Sequence, residues 1–263
     1  MKLFFSEFKA DYDKYYFPYQ VWLVREEGDD NTKIYYAGFL PVRNLSGVYY
    51  LTRSLRVNLS KFSLSSENRR ILNKTADFEY QLLPIAEFEY TPEVQKFCKE
   101  YMDKRFRKGQ ITAVGIKNIF QKGVYNYVFV WRKVGIQPPV GYAVCFVDNN
   151  LLQYAHAFYD LKLFEQNIGV RMLLQAVAWA KENGKEYAYL GTVYNKSAIS
   201  YKTEFSGFEY FNGFTWSVNL AELKTLVDWE NEKYLLRDQD YLAEFYPEGL
   251  KEVLNKYGVR VNF

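Results

Sequence analysis

The chain has 263 residues, 49% of them hydrophobic, which suits one large domain or two closely joined ones. Its 34 basic and 31 acidic side chains leave a net charge of +3, which excludes a histone-like blanket of positive charge but permits a local basic patch. Two cysteines are too few for a disulfide framework or a cysteine metal site, and a single histidine excludes most zinc and Ser-His-Asp sites.

The chain begins without a charged and then apolar leader, and no apolar run approaches the ~18 residues of a membrane span. We therefore expect a soluble, cytoplasmic protein that binds no membrane. Aromatic residues make up 19% of the chain. They are ordinary strand and core residues, and base stacking is the alternative use.

The first part of the chain is predicted to contain a hairpin, an edge strand and a helix. Residues 33–42 and 46–55 alternate apolar and polar side chains, which predicts two strands around a turn at residues 44–47. A polar, basic segment follows at residues 60–74. Residues 78–89 are predicted as a strand, in which Pro84 favours an edge position. Thr91 and Pro92 are the cap and first-turn residue of a helix expected to reach about residue 107.

A helical or loop segment at residues 112–121 precedes a region of long strands. Residues 125–134 and 140–147 are predicted as strands, the second covered on both faces, and a turn at residues 148–150 leads to a strand at 151–158. Apolar side chains three and four apart predict a helix over residues 170–183, which Gly184 ends. The remaining predictions are a strand at 187–191, a hairpin around Asn212-Gly213, and helices at 220–234 and 240–257, the last broken by Pro247.

The loop before the helix at residues 170–183 has the chemistry of an anion-binding turn. Gln166 and Gly169 match the Gln-x-x-Gly start of the pyrophosphate loop in GNAT acyltransferases, which usually have a second small residue where Arg171 stands. Backbone N–H groups at a helix start are unpaired, and glycine permits a close approach. The helix dipole adds ~0.3–1 kcal/mol of attraction at an exposed end. A plain strand-to-helix turn is the alternative.

A run of basic residues between positions 53 and 74 is a candidate surface for a phosphate backbone, and its members are Arg53, Arg56, Lys61, Arg69, Arg70 and Lys74. Adjacent arginines on a helix diverge by about 100°, so Arg69 and Arg70 face one phosphate only if their segment is a loop. The alternative is a solvated face with ion pairs to Glu67 and Asp77.

Two pairs of residues are candidates for catalysis. Asp160, with Tyr159 before it, follows a strand and precedes the anion loop, so it is a general base, a group that holds an amine, or a plain turn residue. Tyr201 and Lys202 fall where a later helix meets the same cleft; a tyrosine hydroxyl can donate to a leaving oxygen, and a lysine can hold a terminal phosphate. Simple surface placement is the alternative for both. The single histidine, His156, lies in an apolar strand and is interpreted as a core residue.

These segments, in this order, resemble the arginyl-tRNA–protein transferases and their bacterial leucyl-transferring relatives. Residues 50–57 lie where that family has a Tyr-Arg-Pro stretch, a cysteine cluster and an arginine-valine strand. Arg69 and Arg70 resemble its serine-rich, paired-arginine segment. Residues 158–160 (Phe-Tyr-Asp), 168–169 (Ile-Gly) and 187–191 (Tyr-Ala-Tyr-Leu-Gly), followed by Tyr194 and Tyr201-Lys202, resemble the strand ends and helix start of its transferase part.

The resemblance implies an α+β protein with a mixed sheet and a GNAT-like acyltransferase fold, built as two GNAT-like halves at residues 1–110 and 111–263. It implies transfer of an amino acid from charged tRNA to an amine acceptor such as a protein N-terminus. Aminoacyl-tRNA is then the co-substrate, with no other cofactor, no coenzyme A and no metal in the transfer step. This chain departs from the family because residues 50–56 contain no cysteine. We therefore expect no metal cluster there, and both the recognised N-terminal residue and the persistence of protein transfer stay open.

The resemblance also distributes the candidate residues over roles. Gln166, Gly169 and the backbone N–H groups of residues 168–170 would receive the donor end, and Asp160 or Tyr159 would orient the amine. Tyr201 and Lys202 would hold the 3′ end of the tRNA, and Arg56, Arg69 and Arg70 its backbone. One rival is a coenzyme A-dependent GNAT N-acyltransferase that uses acetyl-coenzyme A, which the bulky Arg171 disfavours. Another is a non-catalytic binding module on the same scaffold, which the missing cysteine cluster favours.

Overall fold

The computed structural model describes residues 1–13, 17–106, 108–194, 201–229, 234–249 and 251. Its strands are β1 (Lys2–Glu7), β2 (Tyr19–Val24), β3 (Phe39–Pro41), β4 (Val48–Leu51), β5 (Ser54–Asn58), β6 (Phe78–Pro84), β7 (Tyr127–Lys133), β8 (Gly141–Val147), β9 (Leu151–Tyr159), β10 (Tyr187–Thr192), β11 (Phe208–Phe211) and β12 (Trp216–Ser217). Its helices are α1 (Asn31–Tyr36), α2 (Ser66–Lys74), α3 (Pro92–Arg105), α4 (Ala113–Gln121), α5 (Ile168–Glu182), α6 (Leu220–Val227) and α7 (Gln239–Phe245).

The strands form two sheets, one of which is mixed. Four strands make an antiparallel sheet in the order β1-β2-β4-β3. Eight strands make a larger sheet in the order β12-β11-β5-β10-β9-β8-β7-β6, in which β9 and β10 run parallel. Parallel neighbours need a long crossover connection, and α5 provides it. The predicted α+β class with a mixed sheet is confirmed.

Helices cover both faces of the larger sheet. On one face, named the α5 face, Met172 of α5 lies so close to Gly141 that a Cβ there would stand 2.8 Å from its Sδ. On the other, named the α3 face, Phe97 of α3 packs edge-on against Tyr142 with ring centroids 5.4 Å apart. Because both faces are covered, β8 is buried along almost its whole length, as its continuous apolar sequence predicted.

The parallel strands β9 and β10 separate at their carboxyl ends. Their pairing joins residues 151–153 to residues 187–189, yet β9 continues to Tyr159 and β10 to Thr192. In β9, Tyr154 lies opposite Cys145 and His156 opposite Val144, so Ala155 is the extra residue of a β-bulge. A bulge bends its strand and interrupts pairing. The bulge therefore lies where the two strands part, and a gap opens between them.

Most predicted elements are present. The turn at residues 44–47 joins β3 and β4, β6 is an edge strand that ends at Pro84, and Thr91 caps α3 by accepting from the Val94 N–H. The apolar face predicted for the helix at 170–183 is buried in α5, and β11 and β12 flank Asn212-Gly213.

The predicted strand over residues 33–36 is wrong. These residues belong to α1, whose Asp30 side chain accepts from the Thr32 N–H and starts a helix that buries Ile34 and Tyr35. The strand predicted over residues 46–55 is also two strands, β4 and β5. The part of the predicted last helices beyond residue 251 lies outside the described residues.

The chain divides by internal contacts into one unit at Met1–Val218 and another at Asn219–Phe263. The first unit holds both sheets and α1–α5; the second holds α6 and α7. Strands β5 and β6, from the first predicted half, share the larger sheet with β7–β10 from the second. The division into two GNAT-like halves at residue 110 stays a prediction. None of the helices in the described ranges is both long and apolar enough to cross a membrane.

Candidate active site

Among the α-helices of the described residues, α5 alone begins without a side-chain cap. In α1–α4, α6 and α7 an N-cap side chain accepts from a first-turn N–H, whereas the N-cap of α5, Asn167, makes no such bond and has a left-handed backbone with φ of 58°. The preceding turn, residues 164–167, is exposed. The first N–H groups of α5 therefore lack a side-chain cap at the positive end of the helix dipole.

Tyr159 lies directly over this helix start. A Cβ on Gly169 would stand 2.9 Å from Cε1 of Tyr159 and 3.1 Å from its hydroxyl oxygen. The tyrosine ring itself is 9% exposed and packs at 4.8 Å, between centroids, against Tyr101 of α3. Gly169 is thus required by the close approach of an aromatic ring, and the structure brings together these two predicted site residues.

The bulge at Ala155 adds a residue that sequence reasoning missed. Because of the extra residue, Tyr154 and Tyr159 project from the same face of β9, whereas five residues of regular strand would place them on opposite faces. Tyr154 is 9% exposed, and its hydroxyl has no hydrogen-bond partner in the described part of the chain. A buried polar group without a partner is costly unless a ligand completes it.

Three other tyrosines contribute to the electrostatic environment of Tyr154. Burial raises the pKa of Tyr154 well above its ordinary value, and Cys145, Tyr101, Tyr201 and Tyr159 add to that rise. Tyr201 is 41% exposed; burial and the neighbouring Tyr159 raise its pKa, while the Arg105 guanidinium lowers it. Because their pKa values are raised, Tyr154 and Tyr201 are hydrogen-bond donors at neutral pH, which suits a site where an oxygen acquires negative charge.

Lys202 reaches the other side of the gap. Its ammonium group donates to the backbone carbonyls of Leu190 at 2.8 Å and Thr192 at 3.4 Å, on the part of β10 that has left β9. Gly191, with φ of +83°, lies between these two residues. Burial lowers the pKa of Lys202 from 10.5 to about 8, so this amine exchanges its proton close to neutral pH.

Asp160 and Gln166 have local structural partners. One carboxylate oxygen of Asp160 accepts from the Lys162 N–H at 3.0 Å and caps a 3₁₀ turn over Leu161–Gln166. The side-chain oxygen of Gln166 accepts from the Lys133 ammonium at 2.7 Å. Asp160 is therefore a turn residue at the edge of the site, and its role as a base stays a prediction.

Arg56 is placed differently from its predicted role. Its guanidinium is buried and bonds to the Glu209 carboxylate at 2.7 and 2.8 Å, while the rings of Tyr187 and Trp216 lie on it at 3.8 and 3.7 Å. These partners come from strands distant in the sequence, which the local basic run does not reveal. We correct the prediction accordingly: Arg56 holds β5, β10 and β11 together and is not available to a tRNA backbone.

Arg69 and Arg70 lie exposed on α2. Because the segment is a helix, the two side chains diverge: Arg69 donates to the Leu64 carbonyl at 2.6 Å, and Arg70 forms an ion pair with Glu67. The predicted alternative of a local ion pair is thus present for Arg70. A shared grip by both arginines on one phosphate is excluded by this geometry.

Arg171 connects α2 to the start of α5. Its guanidinium is buried and donates to the Leu72 carbonyl, the Thr75 hydroxyl and the Phe78 carbonyl at 2.7, 2.8 and 2.9 Å. This residue, noted in the sequence only for its bulk, fixes the end of the basic helix beside the helix that opens onto the gap.

A second polar cluster lies on the α3 face of β9. His156 shares a hydrogen bond of 3.0 Å with the Tyr125 hydroxyl, and burial, with a smaller effect from Arg43, lowers its pKa to about 3. His156 is half-buried rather than fully buried, so its interpretation as a core residue stays a prediction. Arg43 also lowers the pKa of Tyr50, which burial and Tyr194 raise. The Arg43 Nε is buried without a hydrogen-bond partner among the described residues, so this cluster has an unused positive charge.

The chain is similar in sequence to a known protein family. Residues 12–212 match the family model described as arginine-tRNA-protein transferase, C terminus. The chain is similar to the aspartate/glutamate leucyltransferases of Ruegeria pomeroyi (26% identity over 169 residues) and Dinoroseobacter shibae (28% over 178 residues). These alignments cover 62% of this chain and about 60% of each relative.

Among solved structures, the chain is similar to FemX, with 9% identity and a TM-score of 0.47 over 77% of this chain and 70% of that one. It is also similar to the C-terminal domain of a lysylphosphatidylglycerol synthetase from Agrobacterium fabrum, with 14% identity and a TM-score of 0.40 over 54% and 46%. Such distant likenesses concern the fold alone. The match to the family model spans most of the chain, including both separating strands and α5. The chain therefore belongs to the family described as arginine-tRNA-protein transferase, C terminus.

Proposed function

We propose that this protein transfers an amino acid from a charged tRNA to the N-terminal amine of a protein or peptide. The observation that carries the proposal is the gap between β9 and β10, which has an uncapped helix start and an unpartnered buried tyrosine hydroxyl on its α5 face. The gap lies in a chain that belongs to the family described as arginine-tRNA-protein transferase, C terminus.

The donor end fits the α5 face. The first N–H groups of α5 would receive the negatively charged 3′ end of the tRNA, and the exposed Tyr201 together with Lys202 would hold the terminal nucleotide. The Tyr154 hydroxyl would donate to the ester carbonyl, where an oxyanion develops during attack by the amine. Each such donor typically contributes ~3–4 kcal/mol to the stabilisation of a transition state.

Proton transfer and orientation of the amine each have one candidate in this site. The attacking amine must lose a proton, and Lys202, with its lowered pKa, can accept one when neutral. Asp160 would orient the amine with its second carboxylate oxygen. The ester is already activated, so alignment of the two substrates supplies most of what remains, up to ~7–11 kcal/mol in ideal cases. No metal, coenzyme A or other cofactor is part of this proposal.

The tRNA backbone would lie along α2. Arg69 and Lys74 are exposed on this helix, and Arg171 fixes its end beside α5. Arg70 would join them after exchange of its Glu67 partner for phosphate, since an exposed ion pair contributes only ~0–1 kcal/mol.

The acceptor would enter from the α3 face. The relatives are named aspartate/glutamate leucyltransferases, so we propose leucine as the donated amino acid and an acidic residue at the acceptor's N-terminus. The unused charge of Arg43 beside His156 would pair with that acidic side chain.

The test is incubation with a mixture of charged tRNAs and peptides that begin with aspartate, glutamate or alanine, scored by mass spectrometry. We expect leucine to be added to the acidic peptides, and Tyr154→Phe to lower the rate ~100-fold or more. Tyr80→Phe, a change of the same type on β6, is the matched control and should leave the rate unchanged. Absence of any added amino acid would refute the proposal.

The same experiment separates the rivals. Acyl transfer from acetyl-coenzyme A, together with a raised melting temperature in its presence, would favour the coenzyme A-dependent reading. Binding of charged tRNA without transfer to any peptide would favour a non-catalytic module.

A further inference from the structure

Strand β1 is an exposed, aromatic edge strand. Among the described strands it pairs only with β2, at the border of the four-stranded sheet. Leu3, Phe4, Phe5 and Phe8 are 53%, 52%, 62% and 62% exposed. Natural sheets usually protect such an edge with charge, proline or a bulge, yet residues 3–6 contain none of these. An apolar edge of this kind is a surface for strand pairing.

The hydrogen-bonding direction of each β1 residue follows from one contact. The Phe8 N–H donates to the Pro18 carbonyl of the strand's neighbour at 3.0 Å. Residues of an antiparallel strand alternate in the edge that their N–H and C=O groups face. Even-numbered residues of β1 therefore face β2, and Leu3, Phe5 and Glu7 present their backbone groups to the free edge.

We propose that β1 pairs antiparallel with β1 of a second copy of this chain, around a twofold axis at Phe4. Only odd-numbered residues of β1 present their backbone groups to the free edge, so a twofold-symmetric ladder pairs odd-numbered residues with odd-numbered ones. The twofold axis then passes through a single residue of the strand. Centred on Phe4, the register places Leu3 opposite Phe5 and Lys2 opposite Ser6. Centred on Phe5, it places Glu7 against Leu3 and Lys2 against Phe8. Over residues 2–6, apolar residues face apolar ones and Lys2 faces a polar one only in the first of these two registers.

This interface is independent of the proposed transfer reaction. The family match begins at residue 12, beyond β1, and none of the residues around the gap belongs to this strand. Absence of transfer activity would therefore not contradict the dimer, and a monomeric protein would not contradict the proposed transfer reaction.

Sedimentation velocity over a range of protein concentrations tests the interface. The wild-type chain should form a dimer, and Phe5→Pro should raise its dissociation constant by at least about tenfold, because it removes an outward donor from each copy while keeping the ladder to β2. Val134→Lys, which alters a side chain 65% exposed elsewhere, is the matched control and should dimerise normally. A wild-type monomer at all concentrations, or a dimer unaffected by Phe5→Pro, would overturn the proposal.

Oxidative cross-linking tests the register. Phe4→Cys should form a disulfide between copies, because residues on the axis lie within the Cα separation that a disulfide spans. Phe5→Cys should not, because its counterpart lies two residues along the partner strand. Cys98 and Cys145 are buried and give no background. Cross-linking of the Phe5→Cys variant alone, or of neither variant, would contradict pairing centred on Phe4.

Discussion

The contact between Gly169 and Tyr159 can be tested by adding one methyl group. In Gly169→Ala, the new Cβ would stand 2.9, 3.0 and 3.1 Å from three atoms of the Tyr159 side chain, whereas carbon atoms in favourable contact are about 3.5–4.0 Å apart. The ring is buried against Tyr101 and cannot move freely. Overpacking of this kind costs ~1–3 kcal/mol, and replacing glycine by alanine inside a helix returns ~1 kcal/mol. We expect Gly169→Ala to lower the free energy of unfolding by ~0–2 kcal/mol.

Urea unfolding in a double-mutant cycle separates the two effects. In a Tyr159→Ala background the ring is gone, so Gly169→Ala should stabilise the protein by ~0.5–1 kcal/mol, and the coupling energy between the positions should be ~1–3 kcal/mol. The single variant should also lose transfer activity, because the new methyl group pushes the Tyr159 ring out of its position over the start of α5. Equal stabilisation by Gly169→Ala in both backgrounds would show that Tyr159 does not lie over this helix, and the reasoning would fail.

Three further predictions concern groups whose environment the structure defines. Burial lowers the pKa of Lys202 to about 8, so its buried charge destabilises the folded protein below pH 8, and this cost disappears as the pH rises to 10.5. Across that pH range, the free energy of unfolding of the wild-type protein in urea should rise by up to ~3 kcal/mol relative to Lys202→Met. Burial lowers the pKa of His156 to about 3, so the stability that neutral His156 provides above pH 6.5 is lost as the pH falls toward 3. In His156→Gln, the free energy of unfolding should fall by up to ~4–5 kcal/mol less over this pH range, as measured by circular dichroism. Arg56→Met leaves the Glu209 carboxylate buried without its main partner and should lower the free energy of unfolding by ~3–5 kcal/mol. The double variant Arg56→Met with Glu209→Met should recover most of this loss. The affinity for charged tRNA in filter binding, expressed per folded molecule, should stay unchanged in both variants.

Local signals in the sequence predicted much of the fold. Thr91-Pro92 and Asn212-Gly213 fixed a helix start and a hairpin because capping and turn chemistry act within a few residues. The short helix α1 was missed because six residues hold too few turns to display a helical period, and its Asp30 cap resembles an ordinary acidic turn. Strand alternation was the wrong interpretation there.

The site was harder to predict, for reasons of distance and register. Arg56 was read as part of a basic run, whereas its partner Glu209 lies 153 residues further along the chain and only the fold brings them together. Tyr154 was missed because a single extra residue at Ala155 reverses which face of β9 each side chain occupies. Gly169 and Tyr159 were predicted separately; their contact depends on how α5 packs on β9, which no local pattern encodes.

The central claim is that the donor end of a charged tRNA binds where α5 begins, beside the gap between β9 and β10. Hydrogen exchange of the backbone amides, measured by mass spectrometry with a leucyl-tRNA whose ester is replaced by a non-hydrolysable amide, tests it most directly. Exchange in the peptide that covers residues 168–171 should slow when this tRNA is added, and it should not slow with the same tRNA lacking leucine and the terminal nucleotide. Unchanged exchange at these amides under saturating tRNA would contradict the account.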